Sequence, residues 1–114
     1  MSFITYIKKL FGFHKESRRN HFDGIIQASS FNNSLLSNNP TKLVVVGELN
    51  NPKWVQFYCP DDCKEIISVN LMSSSFPHWT MEYNPKNEVT LDPSVDVKKC
   101  KSHFWIKDNK IMWV

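Results

Sequence analysis

The chain has 114 residues, of which 41% are hydrophobic and 13% aromatic, and carries a formal net charge of +3. That length and composition fit one folded domain with a modest core, and exclude both a disordered chain and a second large lobe. The small positive charge is too weak to argue for a nucleic-acid partner, and no apolar run approaches the roughly 18–20 residues that span a membrane.

In chain order, Phe3, Ile4, Ile7, Leu10 and Phe11 fall at helical spacing, with Ser2 placed to cap the start and Gly12 to end it. The spacing predicts a short amphipathic helix whose polar side is basic, packed on the body or laid against a partner or surface. The same stretch lacks a continuous apolar centre and a small-residue cleavage site, so a secretory signal is not expected. Residues 14–41 show no sustained period and are rich in Ser and Asn. Loops are expected there, with a short helix or strand around Ile25 and Ile26. Residues 1–41 therefore read as an N-terminal helix and irregular segment, and 42–114 as a β region, within one structural domain.

From Lys42 onward short strands alternate with turn residues. "KLVVVGEL" ends at Asn50–Asn51–Pro52, and "KWVQFYC" puts Trp54, Gln56 and Tyr58 on one face and Val55, Phe57 and Cys59 on the other. "KEIISVNLM", "HWTMEYN", "NEVTLDPSVDV" and "HFWIKDNKIMWV" follow, the last split by a turn at Asp108–Asn109. This rhythm predicts a mainly β fold: a small antiparallel meander, sandwich or barrel-like domain. With three glycines in the chain, a phosphate-cradling glycine loop is absent.

The last two segments carry the candidate chemistry. Val89, Leu91, Val95 and Val97 share one parity and predict the core face; Thr90, Asp92, Ser94 and Asp96 share the other. Phe104 and Ile106 point to the core, while His103 and Trp105 alternate away. A tight turn over "VKKC" would set Ser94 opposite His103 and Asp92 opposite Trp105, with Cβ atoms about 4.5–5.5 Å apart. Pro93 cannot donate to a ladder, so this strand is expected at an edge or kinked. A serine hydroxyl needs a base during attack, and an imidazole both takes that proton and returns it to the leaving group. Asp92 and Asp96 share the face and are placed to orient His103. A surface hydrogen bond is the plain alternative for such a pair.

Three cysteines, an odd number, fit a reducing cytoplasm and metal or reactive-thiol chemistry better than a disulfide framework. "CPDDC" and "CKSH" offer Cys59, Cys63, Cys100 and His103 as a tetrahedral zinc set, against the alternative of buried free thiols. The two roles of His103 conflict, since a zinc ligand is not a titrating base. Asp61 and Asp62 suit a turn. Trp54, Trp79 and Trp113 read as structural, whereas Trp105, on the His103 face, is placed to line a groove for an extended substrate tail. His78 reads as a polar strand-start residue, His14 and His21 as solvated, and Lys98, Lys99 and Lys101 as a basic turn.

The succession "CPDDC…TLDPSV…CKSHFWI…KIMW", covering roughly Phe57 to the end, resembles a bacterial family catalogued as domain of unknown function 6527. Such proteins sit in operons with ubiquitin-like proteins and E1- and E2-like enzymes. The resemblance implies a serine protease with Ser94 in "DPSV" as nucleophile and His103 in "KSHF" as base. Its implied substrate is the C-terminal tail of a ubiquitin-like protein, processed or deconjugated, with antiphage defence as a setting. The family's cysteine pattern implies a structural zinc on Cys59, Cys63 and Cys100. Val114 stands where a further cysteine often occurs, which leaves the fourth ligand open. The rival reading is a non-catalytic, zinc-stabilised binding module for the same conjugation machinery.

Overall fold

The computed structural model describes residues 18–61 and 63–114. The helix expected over residues 3–11 lies outside them. Eight strands and one short helix follow: β1 (Ile25–Ala28), α1 (Asn33–Asn38), β2 (Leu43–Glu48), β3 (Asn51–Tyr58), β4 (Ile66–Asn70), β5 (Thr80–Tyr83), β6 (Val89–Val97), β7 (Ser102–Lys107) and β8 (Lys110–Trp113). They form two four-stranded sheets, β1-β2-β3-β4 and β5-β6-β7-β8. All pairings are antiparallel except β1 with β2, which run parallel from Ile25 opposite Leu43.

The mainly β expectation holds, but the sheets stay open and no barrel closes. The break lies between β4 and β5, consecutive in sequence yet in different sheets. Asn70, at the end of β4, holds the crossing segment. Its side-chain amide donates to the Pro77 carbonyl at 3.0 Å and the Ser75 hydroxyl at 3.1 Å, and its Oδ1 accepts from the Met72 amide at 3.0 Å. With those backbone groups satisfied locally, the chain leaves the first sheet without a further ladder.

The sheets pack face to face because alternation delivers apolar side chains to one side of each. Leu43, Val45, Val55, Phe57 and Val69 from the first sheet meet Val89, Leu91, Val95, Phe104 and Ile106 from the second in one buried cluster. Phe104 bridges the layers, with ring centroids 6.4 Å from Phe57 and 5.3 Å from Trp113, both edge-on. Burying a side chain of this size stabilises by about 1.5–3 kcal/mol, so the strand before and after Phe104 is firmly placed. On the other face of the first sheet, α1 covers Val44 and Val46 with Leu36. The Ser/Asn composition concealed this helix, although Asn32 is a sound N-cap whose Oδ1 accepts from the Leu35 amide at 2.9 Å.

The segment before β1 is fastened to β8: the Phe22 amide donates to Asn109 O and the Ile111 amide to Asn20 O, each at 2.7 Å. The β7–β8 hairpin turns through Asp108 and Asn109, with φ of 51° and 63°. This is the left-handed pair that two-residue hairpins require and that Asp and Asn tolerate. No helix among the described residues is long and apolar enough to cross a membrane.

Candidate active site

Alternation on β6 and β7 sets which side chains face out. Exposure follows the predicted parity: Val89, Leu91, Val95, Val97, Phe104 and Ile106 are buried, and Ser94, Asp96, His103 and Trp105 sit on the outer face. The expected register is right at one end and wrong at the other. Leu91 pairs with Ile106, as predicted, but His103 lies opposite Asp96, not Ser94. Leu91 and Val95 are four apart on β6, while their partners Ile106 and Phe104 are two apart on β7. Two extra residues are therefore taken up at Asp92–Pro93–Ser94, where Asp92–Pro93 is a cis peptide. The compensating change is in the turn, which opens to Lys98–Lys101 between the paired Val97 and Ser102, with Lys101 at φ 59°.

A displacement of two residues preserves the face, because side chains alternate with period two. Ser94 consequently stands diagonal to His103, and its Oγ lies 2.7 Å from His103 Nε2. With the ring proton on Nδ1, the hydroxyl donates to Nε2, the arrangement in which an imidazole accepts a proton from a nucleophile. The imidazole is exposed and Ser94 half-buried. Asp92 is on the outer face but is not joined to the ring by a hydrogen bond among the described residues. Asp96 is the ring's direct cross-strand neighbour, and its carboxylate is 3.4 Å from Lys98 Nζ.

β5 pairs with β6 only over Val89–Asp92. β6 is thus an interior strand in its first half and an edge in its second, where Pro93 breaks the ladder. Trp79, read from sequence as structural, reaches this point: its indole Nε1 donates to the Ser94 carbonyl at 3.2 Å. No spacing rule foretells that contact, since it depends on how the crossing segment returns to β5.

The cysteines gather on the opposite side of β7. The Sγ atoms of Cys59, Cys63 and Cys100 lie within 4.8 Å of one another, and Cys59 and Cys100 are 3.6 Å apart. A tetrahedral zinc–thiolate site with bonds of about 2.3 Å separates its sulfurs by roughly 3.8 Å, so the donor set and spacing fit a thiophilic dication. His103 is not part of this group. Its ring contacts Ser94 on the outer face, so the imidazole and the thiols form separate groups.

Below the thiols is a buried network that sequence reasoning took for a plain turn. Ser102, 1% exposed, donates to Asp61 Oδ2 at 2.7 Å and accepts from the Cys100 thiol at 3.1 Å. Arg18 Nε also donates to Asp61 Oδ2, at 3.3 Å. A buried carboxylate needs such donors, since its desolvation is otherwise strongly unfavourable.

A family model described as "Bacterial ubiquitination-like system serine protease (BubE)" matches residues 29–114. The chain belongs to the BubE family. This bears out the resemblance read from "TLDPSV" and "SHFWI" and extends it upstream to residue 29. No curated protein and no solved structure matches the chain.

In this BubE-family chain the thiols are not equivalent. Burial, then the neighbouring thiols, pushes Cys59 far above the usual thiol range, and burial also raises Cys63. Burial would raise Cys100 as well, but its hydrogen bonding with Ser102 and with the other two thiols outweighs it and leaves Cys100 lowered. A bound dication would reverse the penalty on all three by stabilising the thiolates.

Proposed function

We propose that this BubE-family chain hydrolyses a peptide or isopeptide bond at the C-terminal tail of a ubiquitin-like protein, with Ser94 as nucleophile and His103 as base and then acid. The single observation that carries the reading is the 2.7 Å approach of Ser94 Oγ to His103 Nε2 on an accessible sheet face. The Ser94 oxygen attacks the carbonyl carbon while its proton passes to His103 Nε2. The imidazolium gives that proton to the departing amine as the C–N bond breaks, leaving an acyl ester on Ser94. Water, deprotonated by the same nitrogen, cleaves the ester and restores the hydroxyl.

The second half of β6, paired with β7 but not with β5, offers an edge along which an extended tail can add as a strand beside Ser94. Trp79 holds the Ser94 carbonyl, and so the nucleophile's backbone, at the break in the ladder. Cys59, Cys63 and Cys100 would hold a zinc ion, whose contribution is to staple the β3–β4 turn to the β6–β7 turn. E1- and E2-like enzymes are the expected neighbours in the pathway, and antiphage defence its setting.

The test is labelling by a serine-directed fluorophosphonate, together with cleavage of a ubiquitin-like partner extended beyond its functional C-terminus. Both are expected in the wild type and lost in Ser94→Ala. A folded wild type that neither labels nor cleaves would leave the non-catalytic binding module as the better reading.

A further inference from the structure

The outer face of the second sheet holds a groove of about 510 Å³, whose lining residues Asp92 and Trp105 are two positions along the chain from Ser94 and His103 respectively. Its floor is apolar: Trp105 and Met112 are direct cross-strand partners, and they remain 42% and 52% exposed. The rim is polar and of mixed charge, with Thr80, Glu82, Asp92 and Lys107. Most large apolar side chains among the described residues are buried or half-buried, so a paired aromatic and thioether left open in a concavity stand out as a contact surface.

The position of the groove decides what it meets. Trp105 is two residues beyond His103 on β7, and Asp92 two residues before Ser94 on β6, all on one face. Same-face neighbours on a regular strand such as β7 are about 6.5–7 Å apart, which is also the distance between alternate side chains of an extended substrate lying on the sheet. On β6 the break at Asp92–Pro93–Ser94 interrupts that spacing. The other flank of the pair differs: Asp96 and Lys98 form an exposed ion pair at 3.4 Å. Along the strands, the flank at Trp105 and Met112 is therefore apolar and the flank at Asp96 and Lys98 is charged.

We infer that this groove selects the polypeptide to be cut, taking a large apolar side chain within two residues of the bond that Ser94 attacks. The inference rests on Ser94 and His103 being the reacting pair, and it adds the substrate chemistry they act on. An uncharged side chain is favoured because the floor of Trp105 and Met112 would desolvate a charge, and Glu82 and Asp92 further oppose an acidic group.

The experiment uses the full chain carrying Ser94→Ala, which binds without turnover. Fluorescent host–guest heptapeptides of Ser and Gly, with a single Leu or a single Ala at each internal position, are titrated and followed by anisotropy. The Leu peptide is expected to bind at least tenfold more tightly than its Ala counterpart, the scale on which apolar pockets discriminate. That ratio should fall to near one when Trp105→Ala or Met112→Ser is added. Equal binding of the two peptides, or a ratio that survives both groove variants, overturns the inference. Fluorophosphonate labelling of the wild type reads the Ser–His pair separately. An unlabelled serine beside a Leu-selective groove would sink the hydrolase reading and keep the groove as a peptide site.

Discussion

On β7, Ser102 and His103 are adjacent in sequence and occupy opposite environments. Ser102 is buried between a carboxylate and a thiol, with each polar atom answered by a partner. His103 is exposed and held at one nitrogen by Ser94. One face of the strand is thus built for fixation and the other for access. The comparison teaches that the fixed face supplies the precision the open face lacks: Phe104, the thiol corner and the Ser102–Asp61 contact hold the backbone from which His103 projects. Substitutions on the outer face should remove activity with little loss of stability, and those on the inner face should do the reverse.

The largest effect expected is on the outer face. Ser94→Ala or His103→Ala should lower the cleavage rate by about a thousandfold or more, roughly 4 kcal/mol of transition-state stabilisation, with the thermal midpoint nearly unchanged. His103→Ala should also retain any bound metal, checked by elemental analysis. Loss of the metal with the ring would erase the division between the two faces.

Next come the thiols. The wild type is expected to hold one equivalent of zinc, and Cys100→Ser or strong chelation should lower the thermal midpoint by on the order of 10 °C. Metal-free protein that melts at the same temperature would rule out a staple at this corner.

Ser102→Ala should then cost about 1–3 kcal/mol in denaturant unfolding, because buried Asp61 loses a hydrogen bond at 2.7 Å. The smallest effect sharpens the comparison most. Trp79→Phe keeps an aromatic ring of smaller size but deletes the donor to Ser94 O, and should lower kcat by about tenfold with KM little changed and a smaller effect on the midpoint. A fall in stability without a change in kcat would make Trp79 packing alone.

Much of the fold was legible because its signals are local. The alternation in "TLDPSVDV" and "SHFWI" assigned the core and outer faces correctly, and the turn residues divided the strands. The helix at Asn33–Asn38 was missed because its polar composition masks a single buried leucine, and a capping asparagine is also an ordinary loop residue. The parallel pairing of β1 with β2 was not legible either. It joins segments separated by α1, and which edge a short strand chooses depends on the surface presented to it.

The sequence by itself determined that Ser94 and His103 share a face, since alternation with period two survives any even shift of register. It also placed Cys100 in the turn of their hairpin, while the gathering of Cys59 and Cys63 beside it is read from the structure. Only the tertiary structure decided that Ser94 and His103 meet diagonally, that the imidazole stays apart from the thiols, and that Asp61 is buried. Those outcomes turn on where two extra residues are accommodated and on which groups are brought together from distant segments. The packing of one sheet on the other sets both, and no local pattern encodes that.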